Sequence, residues 1–227
     1  MKKLLLFVAA VMLLGSASAQ DLQKNIYGVR AGVNFSSIDL ELLDMFGFRT
    51  GFQAGVSYEH LLLKNNPLYL ETGLLYSNKG CKYSDEVFGF GYGAEISTSY
   101  IEVPIMLNYK FFIGNDITLY PSAGVYYAFG VAGKEKGFVG GGDESSFIEN
   151  VEISGSSSAF GEDGFLKRSD FGYRVGVSAT WKNLVLSAGY EGSFMNVAKS
   201  FDDGDIPISL KAKNLNIFIT LGYNLSF

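Results

Sequence analysis

Apolar side chains alternate with small or polar ones along eight stretches of this chain, and this period of two constrains the fold more than any other feature. Successive side chains of a β-strand point to opposite faces, whereas a helix repeats every ~3.6 residues. Most of the stretches cover about 9–11 residues, the length that a tilted strand needs to cross a bilayer. The pattern predicts an all-β fold, an eight-stranded antiparallel transmembrane β-barrel. The stretches are 27–35, 48–58, 68–77, 101–111, 119–130, 171–181, 184–191 and 214–227.

The connections between these stretches alternate in length. Short connections lie near 60–67, 113–116 and 182–183, and long ones near 36–47, 79–99, 132–169 and 196–213. Short periplasmic turns and long extracellular loops are typical of outer-membrane barrels. Because the number of strands is even, we expect both ends of the barrel chain on the periplasmic side.

The N-terminus has the layout of a secretory signal peptide. Lys2 and Lys3 precede an apolar run of eleven residues, 4–14, and small residues occupy 17–19. Such a run is too short for a membrane-spanning helix, which needs about 20 residues. We therefore expect cleavage after Ala19, with 1–19 as the signal peptide and 20–227 as the barrel domain. Removing the two lysines would take the formal net charge from −5 to −7.

The two faces of the predicted strands differ in the way that a membrane barrel requires. The apolar rows carry almost no charge, and their aromatic residues fall at strand ends, where interfacial girdles form. A soluble barrel of the lipocalin type would turn the other, glycine-rich rows towards water. Because glycine-rich rows make a poor solvent face, that alternative is disfavoured. The glycine-rich rows also hold seven charged residues: Arg30, Arg49, Glu71, Glu102, Lys110, Arg174 and Glu191.

These charged residues would project into a lumen just wide enough for side chains. Opposite charges in so narrow a space are expected to pair, because an unpaired buried ion is costly. We therefore interpret the seven residues as a lumen charge network that closes the barrel. A selective pore through the same lumen is the alternative.

Residue types that support catalysis or metal binding are scarce. The single His, His60, lies at the periplasmic end of the second stretch, away from the outer rim where enzymes of this architecture place a His-activated nucleophile. The single Cys, Cys81, lies at the start of a long loop. The acidic cluster at 202–205 could attract Ca²⁺ but lacks the spacing of a calcium loop, so a solvated loop is favoured. We predict no catalytic site, no metal and no cofactor.

The balance of basic and acidic residues also indicates which partners the protein can bind. Lys and Arg number 18 against 23 Asp and Glu, whereas nucleic-acid-binding domains carry a basic excess, so we expect no nucleic-acid partner. The 132–169 loop combines eight glycines, an acidic surplus and scattered apolar residues. Loops on a rigid barrel commonly carry recognition. This loop could bind an extracellular or secretion-complex protein, or it could serve as a mobile shield.

Several segments resemble the PorT-like outer-membrane β-barrel family, which belongs with the OmpA/OmpX-like barrels of Gram-negative bacteria. Residues 169–194, SDFGYRVGVSATWKNLVLSAGYEGSF, are similar to a hairpin of that family, and 68–80 and 100–111 are similar to two of its strands. The C-terminus, NIFITLGYNLSF, resembles the assembly signal of outer-membrane barrels through Ile219, Leu221, Tyr223, Leu225 and Phe227.

The resemblance implies an integral outer-membrane protein that contacts membrane lipid and is inserted by the barrel-assembly machinery. From the residues and the resemblance together we predict a closed, non-enzymatic barrel with a structural or loop-mediated binding role. A narrow porin or transport channel is one alternative. A barrel component of a secretion or surface-assembly complex is the other.

Overall fold

A computed structural model describes residues 22–40, 47–87, 90–141, 151–153, 158–161, 164–199, 201–202, 207–208 and 211–225. The predicted signal peptide, most of the acidic 202–205 cluster and the terminal Phe227 lie outside the described residues. In the part of the chain that is described, no helix has the length and apolarity to cross a membrane.

Eight long strands form a closed antiparallel barrel in the described part of the chain. Each strand pairs with the next, and the first pairs with the last from Tyr27↔Leu225 to Leu40↔Ala212, which closes the sheet. The predicted eight-stranded antiparallel barrel is confirmed. The strands are β1 (Asn25–Leu40), β2 (Gly47–Leu63), β3 (Asn66–Val87), β4 (Phe90–Tyr109), β5 (Ile117–Gly141), β6 (Ser169–Trp181), β7 (Leu184–Ser193) and β8 (Ala212–Leu225).

Four short strands complete the described structure. Phe111–Ile113 and Val151–Ile153 each pair with β5, and Phe201–Asp202 pairs with Pro207–Ile208.

One end of the barrel, which we call the turn end, carries the short connections. There Leu63 is separated from Asn66 by two residues, and Trp181 from Leu184 by Lys182 and Asn183. Lys182 has φ 54° and Gly114, between Phe111–Ile113 and β5, has φ 64°, which is the left-handed conformation that tight reversals use. Both chain ends of the barrel, Asn25 and Leu225, lie at the turn end. The opposite end is called the loop end.

Strands extend further towards the loop end than the sequence pattern predicts. The 79–99 segment, predicted as a loop, is instead a strand extension in which β3 and β4 pair from Lys79↔Thr98 to Val87↔Phe90. Likewise β1 continues to Leu40, and β5 continues to Gly141 inside the predicted 132–169 loop. Main-chain pairing holds these extensions, so they need no regular apolar row, and the alternation that marks the other strands is lost there.

The barrel is apolar on the outside and polar on the inside. Leu221 and Val177 on the outer face are 61% and 58% exposed, whereas Gln53 and Glu102 on the inner face are 2% and 0% exposed. A soluble barrel has the reverse arrangement, since its apolar rows fill the interior. The outer face is therefore built for an apolar solvent.

Aromatic side chains on the outer face gather near both ends of the barrel. At the turn end the rings of Tyr27 and Tyr58 lie 5.2 Å apart, and those of Tyr109 and Phe111 lie 5.0 Å apart. The loop-end aromatic ring consists of Phe52, Tyr76, Phe129, Phe171 and Tyr173, in which Phe52 and Tyr76 lie 5.5 Å apart. Amphipathic rings at two levels match the interfacial girdles of membrane barrels.

Candidate functional site: the barrel lumen and its mouth

Four buried charges meet at the centre of the lumen, and we call them the central cluster. Lys79 Nζ lies 2.7 Å from Glu102 Oε2 and 2.7 Å from Glu191 Oε2. Arg174 Nη1 lies 2.9 Å from Glu102 Oε1 and also pairs with Glu191. Each cation contacts both carboxylates, so the cluster is a closed square of charges with no formal net charge. Side chains from β3, β4, β6 and β7 supply one corner each.

Neighbouring side chains satisfy and pack the central cluster. Asn216 Nδ2 donates to Glu191 Oε2 at 2.9 Å. The guanidinium carbon of Arg174 lies 4.0 Å from the ring centroid of Phe218, and Lys79 Nζ lies 4.7 Å from that of Tyr126. Desolvated cations over aromatic faces are favourable contacts. The cluster therefore spans the lumen and leaves its charges in contact with partners on several sides.

A second group of charges lies nearer the turn end. Glu59 contacts Lys110 at 2.6 Å and Arg30 at 3.9 Å. Lys110 Nζ also lies 4.3 Å from the ring centroid of Tyr69. Glu71 accepts a hydrogen bond of 2.5 Å from Asn108 Nδ2. The lumen is thus filled by polar contacts at two levels.

Of the seven charged residues expected in the lumen, six take part in these contacts or line the lumen cavity described below: Arg30, Glu71, Glu102, Lys110, Arg174 and Glu191. The seventh residue, Arg49, was expected in the lumen network but takes no part in these contacts. It contacts Glu95 at 2.7 Å and donates to Asn78 Oδ1 at 2.6 Å. The β2–β3 pairing shifts register between Phe48 and Gln53, which interrupts the alternation at this point.

Three lumen charges were missed by reasoning from the sequence alone. Glu59 continues the inward row of β2 just beyond the 48–58 stretch, and Lys79 lies at the start of the segment 79–99 that the sequence pattern predicts as a loop. The third, Asp170, is buried near the loop end, where it accepts hydrogen bonds from Ser193 Oγ at 2.6 Å and Asn214 Nδ2 at 2.9 Å. Extending each alternating row by one inward position, that is by two residues, finds Glu59, Lys79 and Asp170.

Apolar side chains close the lumen at the loop end, and we call them the cap. They come from the segments that follow β5 and β7. Phe160 is 1% exposed and meets Tyr100 edge to face with ring centroids 5.7 Å apart. These residues form one buried apolar cluster with Tyr126 and Cys81 of the barrel wall. The cap residues are Ala159, Phe160, Leu166, Val197 and Ala198.

Main-chain hydrogen bonds fix the cap to the barrel and tie its two segments together. Lys167 N donates to Val197 O at 2.8 Å, and Val197 N donates to Ala212 O at 2.9 Å. Gly130 N donates to Arg168 O at 2.7 Å. Gly130 also makes room for the cap, because a Cβ there would lie 2.5 Å from Cζ of Phe160. The described end of the predicted 132–169 recognition loop is therefore a folded part of the barrel mouth.

A small cavity lies within the lumen between the two groups of charges. Its volume is about 50 Å³, and its lining includes Arg30, Glu71 and Arg174 as well as Gln53 and Ser57. The space is far smaller than a ligand pocket for a drug-sized molecule.

The other residues singled out in the sequence take no part in the contacts between the lumen charges. His60 Nδ1 lies 2.9 Å from Asn25 Oδ1, which also accepts a hydrogen bond of 3.0 Å from the Tyr58 hydroxyl. Cys81 is buried in the apolar cluster of the mouth. Among the described residues, no group of three or more His, Cys, Asp or Glu side chains is arranged to hold a metal ion.

The C-terminal row faces outwards where it is described. Ile219, Leu221, Tyr223 and Leu225 of β8 are all exposed on the outer face, and Phe227 lies beyond the described residues. Their role as an assembly signal stays a prediction.

Comparison with known proteins assigns this architecture to a family. The profile of the family described as "Outer membrane protein beta-barrel domain" matches residues 18–199. The chain belongs to this family. It is thus an outer-membrane β-barrel protein, and its exposed apolar face contacts membrane lipid. No curated protein matches the sequence significantly.

Solved structures of three outer-membrane barrels are similar to this chain. Neisserial surface protein A is 13% identical, with 88% of this chain and 97% of that one covered and a TM-score of 0.46. A major outer membrane protein from Thermus thermophilus is 17% identical, with 89% and 100% covered and a TM-score of 0.42. Ail, the attachment invasion locus protein of Yersinia pestis, is 16% identical, with 89% and 100% covered and a TM-score of 0.39.

Proposed function

We propose that this protein is a closed, non-conducting barrel whose function is to hold strands and loops at the cell surface. The central cluster carries this proposal. Its four side chains join four strands across the lumen, and each ion contacts two ions of opposite charge. Passage of an ion would require these contacts to break, which would leave buried charges without partners.

The cap supports the same proposal at the loop end. Phe160 and Leu166 are 1% and 0% exposed, so apolar side chains fill the mouth above the central cluster. A solute entering from the loop end would have to displace the cap and then separate the ion pairs. We propose no catalytic role, since neither His60 nor Cys81 takes part in the contacts between the lumen charges.

Planar-bilayer recording tests the closed lumen. The protein, whose folding is checked by heat-modifiable gel migration, is expected to give no stable single-channel steps after reconstitution into the bilayer. Regular steps of uniform size would overturn the closed barrel and support the narrow channel instead.

We propose that residues 1–19 direct export and that the turn end faces the periplasm. The alternating connection lengths support this orientation, because outer-membrane barrels place short turns on that side. Mass spectrometry of the protein from outer membranes should find a chain that begins at Gln20. Proteolysis of intact cells should cut between β5 and β6 and spare the turn at Lys64. Cleavage at the turn end alone would reverse the orientation.

A second candidate role is as a barrel component of a secretion or surface-assembly complex. The strand extension favours it, since β3, β4 and β5 continue as a sheet past the loop-end aromatic ring, and β5 pairs there with Val151–Ile153. Chemical crosslinking in cells followed by purification in mild detergent should then retain a stoichiometric partner. A barrel recovered alone after crosslinking would exclude this role.

A further inference from the structure

Basic side chains gather on the outer face of the strand extension, above the loop-end aromatic ring. β2 contributes Arg49, β3 contributes Lys82, and β5 contributes Lys134 and Lys136. Glu95 of β4 is the acidic residue among them. We call these five residues the basic patch.

The strand register makes the patch continuous. Lys82 pairs with Glu95, and Glu95 pairs with Lys136, so three neighbouring strands present these side chains in one row. Paired strands lie about 4.8 Å apart, and residues two apart on a strand lie about 7 Å apart on the same face. Lys134 is therefore a direct neighbour of Lys136 on the same surface.

Exposure and charge single out this surface in an acidic protein. The Lys82 side chain is 56% exposed, and Lys134 and Lys136 are exposed as well. Glu95 is shared between Arg49 at 2.7 Å and Lys82 at 3.9 Å. The four cations and one carboxylate of the patch leave it with a surplus of three positive charges, although the whole chain has a net charge of −5 and Glu152, which pairs with Phe138, lies next to the patch. The partner that fits the patch is therefore an anion.

The height of the patch above the membrane narrows the choice of anion. Lys82 follows Tyr76 of the aromatic ring by six residues. At about 3.4 Å per residue and a tilt of about 40°, it stands roughly 15 Å above that ring. A phospholipid headgroup layer is only about 5–7 Å thick. The patch therefore stands beside the deeper headgroup of a glycolipid rather than at the phosphates of a phospholipid.

We propose that the basic patch binds the phosphate and carboxylate groups in the headgroup of an outer-leaflet glycolipid, whose acyl chains pack on the apolar face below. The patch and the lipid-facing rows belong to the same strands, so one glycolipid can contact both. This assignment rests on the proposed orientation of the barrel. It does not depend on the closed lumen, so a conducting barrel would leave it intact.

The test compares two variants that lose the same charge at opposite ends of the barrel. The patch variant is K82Q/K134Q/K136Q. The control variant is K24Q/K64Q/K182Q, which removes three exposed lysines of the turn end. Both are purified as folded barrels, verified by heat-modifiable migration, and titrated in zwitterionic micelles with lipopolysaccharide that carries its core oligosaccharide. Native mass spectrometry measures the bound fraction.

Each basic residue near an anionic lipid surface strengthens binding by about fivefold, so the patch variant should bind on the order of 100-fold more weakly than the wild type. The control variant should stay within about twofold, and salt should weaken the wild type much more than the patch variant. Phosphatidylglycerol, whose charge lies close to the acyl chains, should bind both variants equally.

Three results would overturn the assignment. Equal binding of lipopolysaccharide by the patch variant and the wild type would remove the patch as its site. Loss of binding in the control variant alone would place the glycolipid headgroup at the turn end and reverse the proposed orientation as well. Binding of inositol hexaphosphate as tightly as lipopolysaccharide would assign the patch to soluble polyanions.

Discussion

The central cluster and the cap fill the same barrel, one with charges and the other with apolar side chains. The cluster residues Lys79, Glu102, Arg174 and Glu191 all lie on paired strands of the barrel. The cap residues, such as Phe160 and Val197, lie on segments between strands and are held by apolar packing against the barrel wall and by separate main-chain hydrogen bonds. The two regions therefore differ in how much of the barrel must move for them to open.

That difference predicts two kinds of response to mutation. Elements with few anchoring contacts can open locally, at a lower free energy than global unfolding. The cap can open by losing its apolar packing and a few separate hydrogen bonds, whereas separating the central cluster means parting strands of a closed sheet. Damage to the cluster should lower the stability of the whole barrel, and damage to the cap should show first as local opening.

The largest effect is expected from Arg174→Met. The substitution keeps most of the side-chain volume but leaves Glu102 and Glu191 with Lys79 alone as a cationic partner. Removing one partner of a buried ion pair typically costs about 3–5 kcal/mol. Urea unfolding in lipid vesicles measures the loss, with K64M at the exposed turn as a control that should change stability little. A loss below about 1 kcal/mol would show that the cluster does not hold the barrel together.

The double variant R174M/E191Q sharpens this prediction. It removes one charge of each sign, so it should be less destabilised than the sum of its two single variants. A coupling of about 0.5–3 kcal/mol is usual for residues in one network. Strict additivity would show that Arg174 acts through its packing on Phe218 rather than through its charge.

The next effect is expected from Phe160→Ala, which empties the centre of the cap. A buried Phe→Ala change costs about 3–5 kcal/mol in a protein core. Here the cost should appear as local opening of 158–168, measured by hydrogen exchange and proteolysis. Bilayer conductance should stay at zero, because the central cluster still closes the lumen. Single-channel steps in this variant would make the cap the true barrier.

Cys81 provides a direct readout of cap opening. It lies beyond the loop-end aromatic ring, is 1% exposed and belongs to the same apolar cluster as Phe160. Burial raises the pKa of its thiol to about 12. Since the thiolate is the reactive form, wild-type Cys81 should resist thiol reagents at pH 8, and Phe160→Ala should speed its labelling.

The strand rows and the lumen charges on them could be predicted from the sequence because both depend on local alternation. Glu102 and Arg174 fall in regular inward rows, and the structure brings them together across the lumen. Arg49 could not be placed, because a register shift in the β2–β3 pairing is set by contacts between strands. A period of two in one segment contains no information about its neighbour's register.

The cap could not be predicted from the sequence, for a different physical reason. Phe160 and Leu166 come from a glycine-rich segment without periodicity, and their burial depends on a mouth formed by distant strands. The reason for a glycine at position 130 is the ring of Phe160 that lies against it, and this contact is not encoded in the local sequence. The lumen charges can thus be predicted from the pattern of single strands, whereas the cap depends on contacts that form only in the assembled barrel.

A smaller effect is expected from Gly130→Ala. The added methyl group would meet the ring of Phe160, and overpacking of this kind costs about 1–3 kcal/mol. Faster labelling of Cys81 should report the displaced cap. In the G130A/F160A double variant the clash is removed, so Gly130→Ala should then have almost no further effect. An unchanged Gly130→Ala effect in that background would place its cause in the β5 backbone rather than in the cap.

The smallest effect is expected from Glu95→Gln, which removes the negative charge from the contact with Arg49 at 2.7 Å. The pair has the same chemistry as the central cluster, but the Arg49 and Glu95 side chains are 15% and 32% exposed rather than buried, and Arg49 keeps its hydrogen bond to Asn78 after the change. Surface ion pairs contribute about 0–1 kcal/mol, so urea unfolding should shift by less than that amount. A loss close to that of Arg174→Met would mean that the sign and number of contacts, rather than burial, set the strength of ion pairs in this barrel.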